Sequence, residues 1–184
     1  MSELSPEPLR ADMLQAMRRL ARSVTVISCC DGERRYSMSA TAVDSLSTEP
    51  PSLLICINRS SSIYPPLAAG ADFCVNLLAA QQQDIAIDCS GRLKGEDRFS
   101  TGDWQRSEDG VPYLHGAQAN LVCRQDGRFD YGTHTVFIGR LLEVKLSGEI
   151  DPLVYVDGVY TTAATAAASA TAAASAALSR CAAA

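Results

Sequence analysis

The sequence predicts a mainly β domain, a closed or split β-barrel with flanking helices, and three observations carry that prediction. Short runs of β-branched and apolar residues recur between Val24 and Leu146. Tight-turn signals such as Asp31-Gly32 and Pro50-Pro51 divide them, as expected of an all-β domain rather than of strands alternating with long helices. Neither G-x-G-x-x-G after a strand nor G-x-x-x-x-G-K-[ST] occurs, so a doubly wound nucleotide-binding sheet is disfavoured.

The elements follow in order. Leu9, Met13, Met17 and Leu20 recur at helical spacing with Arg10, Arg18 and Arg19 off the stripe, which predicts an amphipathic helix packed on the barrel. Residues 24–29 form a β-branched run, and Asp31-Gly32 turns the chain into a return strand over 36–41, a hairpin. A loop closed by Pro50-Pro51 precedes the apolar run 52–57, a central strand by its length. Residues 58–62 are turn-rich, a short helix is expected near 66–69, a strand over 73–78 and a helix over 81–88. The polar, aperiodic stretch 91–112 reads as a long surface loop of the functional kind, containing Lys94 to Phe99. Strand character resumes over 117–124 and 133–146, with Gly127 as the expected hairpin turn.

Residues 1–162 therefore read as one domain, and 163–184 as an Ala-rich low-complexity tail with helix propensity but no face to bury. A length of 184 residues suffices for one core, and 47% hydrophobic with 20% charged residues is a globular composition. The formal charge of -5, with basic residues dispersed, argues against a nucleic-acid partner. No apolar run spans a bilayer and the N-terminus carries charges where a signal peptide would be apolar, so no membrane association and a cytoplasmic location are expected.

Seven cysteines, an odd number without a C-x-x-C pair, are expected as free thiols, with neither zinc nor dithiol chemistry. Only two histidines, His115 and His134, are present and no Ser lies in G-x-S-x-G, which disfavours imidazole-rich metal sites and hydrolytic triads. The informative stretch is 36–61. Ser39, Ala40, Thr41, Ser45 and Ser47 are small and mostly hydroxylated, so a flat ring could approach the backbone closely while hydroxyls bind its polar edge; two strands joined by a polar turn would read the same way. Asn58, Arg59, Ser60 and Ser61 offer a cation and hydroxyls before a helix start, which suits a phosphate or an ordinary N-cap.

Together with Gly132-Thr133-His134-Thr135-Val136-Phe137-Ile138-Gly139, these segments resemble the flavin reductase-like family, particularly the reductase components of two-component flavin monooxygenases. The Thr-Ala-containing strand, the Pro-Pro pair, the Asn-Arg-Ser loop and the late Gly-x-His-Thr-x-Phe-x-Gly motif occur in the family's order over about residues 14–160. The resemblance implies a six-stranded split β-barrel of the FMN-binding, Greek-key type, a homodimer, and hydride transfer from NADH, with NADPH as the alternative, to FAD or FMN. The reduced flavin would serve a partner monooxygenase. It sets Ser39, Ala40 and Thr41 by the isoalloxazine edge with Ser45 and Ser47 nearby, Asn58, Arg59, Ser60 and Ser61 by the ribityl and phosphate part, and His134 beside the nicotinamide as the catalytic residue. Ser37 and Ser39 stand where relatives often carry Gly and Thr. Two rival readings use similar barrels: a non-redox flavin- or heme-binding protein, and a pyridoxamine phosphate oxidase-like enzyme.

Overall fold

The computed structural model describes residues 6–163. Its main sheet has seven antiparallel strands. They are β2 (Thr25–Asp31), β3 (Arg34–Ala40), β4 (Val43–Thr48), β5 (Pro51–Asn58), β6 (Phe73–Leu77), β9 (Ala119–Tyr131) and β10 (His134–Leu146), in the order β3-β2-β6-β9-β10-β5-β4. Strands β1 (Arg22–Ser23), β11 (Leu153–Val156) and β12 (Val159–Thr162) make a small second sheet, and β7 (Asp103–Arg106) pairs with β8 (Pro112–His115). Helices α1 (Pro6–Met17), α2 (Tyr64–Ala68) and α3 (Gln83–Ile87) flank them.

The edge strands β3 and β4 are consecutive in the chain, separated only by Thr41 and Ala42. A flat sheet of seven strands would set its edges about 29 Å apart, whereas three Cα steps from Ala40 to Val43 span at most about 11 Å. The sheet must therefore curl until its edges approach each other at that bend. No ladder joins them, so the six-stranded barrel implied by the resemblance is here an open, curled sheet of seven. The additional strand is β4, in residues whose sequence reads as a loop. Asp44, Ser45, Ser47 and Thr48 are exposed, and β4 is a strand because β5 pairs with it from Val43↔Ile55 to Thr48↔Pro51.

The curl encloses Ile27, Leu53, Ile55, Ile57, Phe73, Val75, Cys123 and Phe137, capped by Ile63 and Leu67. On β5 the burial alternates, with Leu53, Ile55 and Ile57 inward, as a strand wetted on one face requires. Strands β2 and β6 are buried on both faces, because β8 and neighbouring segments cover their outer side. A buried amide fastens that cover. Asn76 Nδ2 donates to the Val26 carbonyl (2.8 Å) and to Ser28 Oγ (3.0 Å), while its Oδ1 accepts from the Leu114 N–H (2.8 Å) and Asn120 Nδ2 (2.9 Å). The Ser28 hydroxyl donates to the Pro112 carbonyl (2.6 Å). Such a network is favourable only when every member is satisfied.

Three expectations change. Helix α1 forms, but Leu9, Met13, Met17 and Leu20 stay 44–60% exposed, since the apolar outer surface of β2 and β6 is already covered. Its C-terminal end is held by polar contacts, Arg18 Nε to Asp157 at 2.8 Å. The hairpin turn lies at Gly132 (φ 54°) rather than Gly127; Gly127 sits within β9, opposite Ile138 beside a register shift. The stretch 91–112 is partly regular, holding a 3₁₀ turn over Gly95–Phe99 and β7. The tail residues 164–184 lie outside the described residues.

Gly139 pairs with Leu53 and Gln125 at the centre of the curl. A methyl there would lie 2.5 Å from Phe73 Cζ and 2.8 Å from Cys123 Cβ. Gly139→Ala is expected to lose about 1–3 kcal/mol through overpacking, seen as a lower Tm in thermal melts; an unshifted Tm would contradict this packing. Asp88, almost fully buried, accepts a hydrogen bond from Arg92 Nε at 2.6 Å, and that bond holds its carboxyl below the usual carboxylate range. The folded pKa being depressed, this contribution is complete above the unfolded value of 3.8 and is lost as pH falls through the folded one. Asp88→Asn should flatten the pH dependence of stability below about pH 4, measured by urea unfolding; an unchanged slope would refute the linkage.

Candidate functional site

Where the curled sheet stays open, along the free edge of β4, lies a groove of about 680 Å³, within the range of small-molecule sites. Val43, Leu53, Leu77, Leu121 and Leu141 line its apolar part, and Ser23, Thr25, Thr41, Ser45, Ser47 and Thr48 contribute hydroxyls. The charged residues on its wall are Arg22 and Asp44. A second cleft of about 320 Å³ opens on the other side of Thr41, lined by Ser39, Ala40, Ser90, Tyr155 and Tyr160 among others. Thr41 belongs to both because it occupies the bend between the two sheet edges.

Hydrogen bonding separates the hydroxyls that hold the fold from those available to a ligand. Ser39 donates to the Ala86 carbonyl at 2.5 Å, and the Ala40 carbonyl accepts from Thr25 Oγ1 at 2.8 Å. Ser47 Oγ both donates to the Glu49 carbonyl and accepts from the Glu49 N–H, each at 3.0 Å. These three residues are committed to an edge contact, a ladder end and a turn. The Thr41 and Ser45 hydroxyls make no hydrogen bond among the described residues.

The remaining candidates gather at the far end of β5. From Ser45, opposite Leu53, to Asn58, opposite His134, five residues of strand cover about 17 Å. The early hydroxyls and the late imidazole thus do not meet at one point: Ser45 shares the inward side of Leu53, whereas Asn58 and the paired His134 alternate onto the other face of the sheet. Asn58 Oδ1 accepts from the Ser60 N–H and hydroxyl, both at 2.9 Å, which forms the turn. Arg59 bends back onto the Gly132 carbonyl and lies 3.7 Å from Asp130, so its charge is partly spent on the β9–β10 hairpin. Ser61 Oγ is buried without a partner among the described residues, an orphan that a ligand oxygen or a water would satisfy. His134 is half-buried, its Nδ1 2.9 Å from Thr133 Oγ1.

One residue was not singled out by the sequence. Arg98 donates to the Leu93 carbonyl (2.9 Å), to the Ser37 carbonyl on β3 (2.6 Å) and to Ser62 Oγ (3.1 Å). It bridges the open seam from one edge strand to the serine turn after β5. The signal was the charged run Lys94 to Phe99, in a loop of functional length. Beside it Glu96 accepts from the Arg35 backbone N–H at 2.7 Å and from its guanidinium, which further covers the β3 edge.

An apolar groove with unspent hydroxyls at its rim fits a flat ring such as a flavin. With a single carboxylate on the wall, the groove itself supplies no acid–base pair, so the reactive atoms belong to what binds there. Comparison with known proteins agrees. Residues 17–164 match the family described as flavin reductase like domain. The reductase component of an FADH2-dependent resorcinol hydroxylase from Rhizobium sp. is 40% identical over 168 residues, 90% of this chain and 94% of that protein. The NADH-dependent FMN reductase RutF of Variovorax paradoxus is 37% identical over 151 residues, 82% of this chain and 84% of that protein. The structure of a Streptomyces globisporus NADH:FAD oxidoreductase in complex with NAD and FAD fragments superposes with a TM-score of 0.80 at 27% identity, over 90% of this chain and 99% of that one.

Since Arg98 ties both sides of the seam, Arg98→Met should loosen it. Amide hydrogen exchange is expected to speed up at residues 37–39 and 60–63 while the Asn76 region stays protected; unchanged exchange at the seam would remove Arg98 from this role.

Proposed function

The chain belongs to the flavin reductase-like domain family, and from that premise we propose that it is an NAD(P)H:flavin oxidoreductase, passing a hydride from NADH to FAD or FMN and supplying the reduced flavin to a partner monooxygenase. The observation that carries the reading is the 680 Å³ groove, apolar within and hydroxylated at the rim, in a chain matched to this family over residues 17–164.

When bound, the two nucleotides supply the hydride donor and acceptor. The chain aligns them. Leu53, Leu77, Leu121 and Leu141 offer a dry surface for a planar ring, and holding two reactants stacked in register lowers a barrier by several kcal/mol, about 7–11 in the best intramolecular cases. Thr41 and Ser45 provide hydroxyl donors for the polar edge of that ring, with Ser39, Ala40 and Ser47 shaping the bend and turn that present them. Asn58, Arg59, Ser60 and Ser61 form the phosphate end, where the buried Ser61 hydroxyl and the seam-bridging Arg98 support the assignment. We place His134 beside the nicotinamide. Its Nδ1 is engaged by Thr133, which leaves Nε2 for the ligand.

The curled sheet is read as the split-barrel class with an added edge strand. Homodimerisation fits the apolar side chains left bare on α1, on Val144 and Leu146 of β10, and on Phe129 and Tyr131 at the hairpin end of β9. No helix among the described residues is long and apolar enough to cross a membrane, and a cytoplasmic location accords with the proposed role.

Following NADH absorbance with FMN, FAD or no flavin tests the function. Oxidation should require a flavin, and its absence with both would reject the reading in favour of a non-redox flavin- or heme-binding protein. His134→Ala is expected to raise the KM for NADH more than that for flavin, whereas unchanged values for both would remove His134 from the site. Sedimentation equilibrium should return twice the chain's 19.6 kDa; a monomer at micromolar concentration would refute the dimer.

A further inference from the structure

The groove along β4 carries one charge that the fold does not use. Arg22 on β1 lines the groove and is half-buried, and its guanidinium makes no hydrogen bond, ion pair or ring contact among the described residues. The other arginines and lysines of which this holds, Arg10, Lys94 and Arg140, are exposed. A cation drawn partly out of water without a partner is costly. An anion formed beside it therefore gains more than it would beside a cation on the open surface.

The backbone that carries Arg22 is fixed. Arg22 pairs with Tyr155 and Ser23 with Val154 on β11. The next residue ties this strand to the main sheet's neighbourhood: the Val24 N–H donates to the Leu153 carbonyl at 2.8 Å, and the Val24 carbonyl accepts from the Leu78 N–H at 3.0 Å. Around the guanidinium the groove wall is neutral, made of Ser, Thr, Pro, Val and Leu side chains, apart from Asp44. The Asp44 carboxylate already accepts from the Ser45 N–H at 3.0 Å and stands on a different strand from Arg22. The groove thus offers a single uncommitted cation, held in place before any ligand arrives.

We propose that Arg22 is the electrostatic partner of the reduced flavin, stabilising the negative charge that the isoalloxazine gains when it accepts a hydride. In that transfer the C4–H bond of the dihydronicotinamide breaks and both its electrons leave with the hydrogen. They form the N5–H bond of the flavin, the nicotinamide becomes a pyridinium cation, and one negative charge spreads over the N1 and C2 carbonyl edge of the flavin. The oxidised ring is neutral, so the attraction to the guanidinium grows only as this charge develops. Stabilisation of that kind acts on the transition state and the product rather than on the substrate. The inference rests on the proposed reductase function and deepens it, by assigning a side chain to the charge that the reaction creates. It also has a direction: reduced flavin is held more tightly than oxidised flavin.

The probe is FMN, titrated into the full chain in its oxidised form and, without oxygen, after reduction by dithionite. The phosphate is common to both forms, so the ratio of the two dissociation constants reports on the ring. Wild type should bind the reduced form more tightly. Arg22→Gln and Arg22→Met, which remove the charge in two different shapes, should each cut that preference by about tenfold. For a two-electron couple this is a fall of about 30 mV in the potential of bound FMN. Arg22→Lys should restore most of the preference, which a packing role would not. A preference unchanged by loss of the charge, equal weakening of both forms, failure of Lys to restore it, or no binding of FMN in either state would overturn the assignment. Turnover of NADH with FMN by the wild type reports on the reductase reading separately, because the titrations use chemically reduced flavin and need no turnover.

Discussion

Two residues, Thr41 and Ala42, join the opposite edges of a seven-stranded sheet, and this covalent limit governs the architecture. Because so short a link cannot span a flat sheet, the strands curl around Ile27, Ile55, Phe73 and Phe137. Because the edges meet only at the bend, the curl stays open along β4. The groove is a by-product of the same geometry: it lies where a closing ladder would have been, and its rim carries the backbone and hydroxyls of an unpaired edge.

Unpaired edges invite misassociation, and the two edges here are treated differently. Strand β3 is covered, with Arg35 bound by Glu96, the Ser37 carbonyl by Arg98 and the Ser39 hydroxyl by the Ala86 carbonyl. Strand β4 is left bare on the groove side. The Asn76 amide makes that asymmetry possible, since by binding Val26, Ser28, Leu114 and Asn120 together it fixes β8 to the outer face and spares the bare edge any bracing of its own.

The late Gly-x-His-Thr-x-Phe-x-Gly motif is largely a folding device. Gly132 makes the hairpin turn in a left-handed conformation, Thr135 is buried and donates to Asp130, Phe137 fills the core, and Gly139 leaves room for the Phe73 ring. His134 is half-buried at the start of β10, beside the exposed Gly132 and Thr133. Most of the motif therefore secures the β9–β10 hairpin.

The sequence by itself determined the mainly β class, the strands whose apolar residues are local and dense, and the family through four ordered motifs. Such signals survive because a buried strand such as 52–57 must be apolar whatever surrounds it. Only the tertiary structure decided the rest. Strand β4 exists because β5 pairs with it, the 153–162 hairpin carries no strong apolar run, and α1 keeps its stripe bare because other segments took the surface it could have covered. At the site, composition could not distinguish Ser39 and Ser47, already hydrogen-bonded, from Thr41 and Ser45, which are not. Arg98 acquires meaning from Ser37 and Ser62, each more than thirty positions away. Partner choice is a property of the whole packed chain, since a hydroxyl or guanidinium is available only if no nearer acceptor claims it.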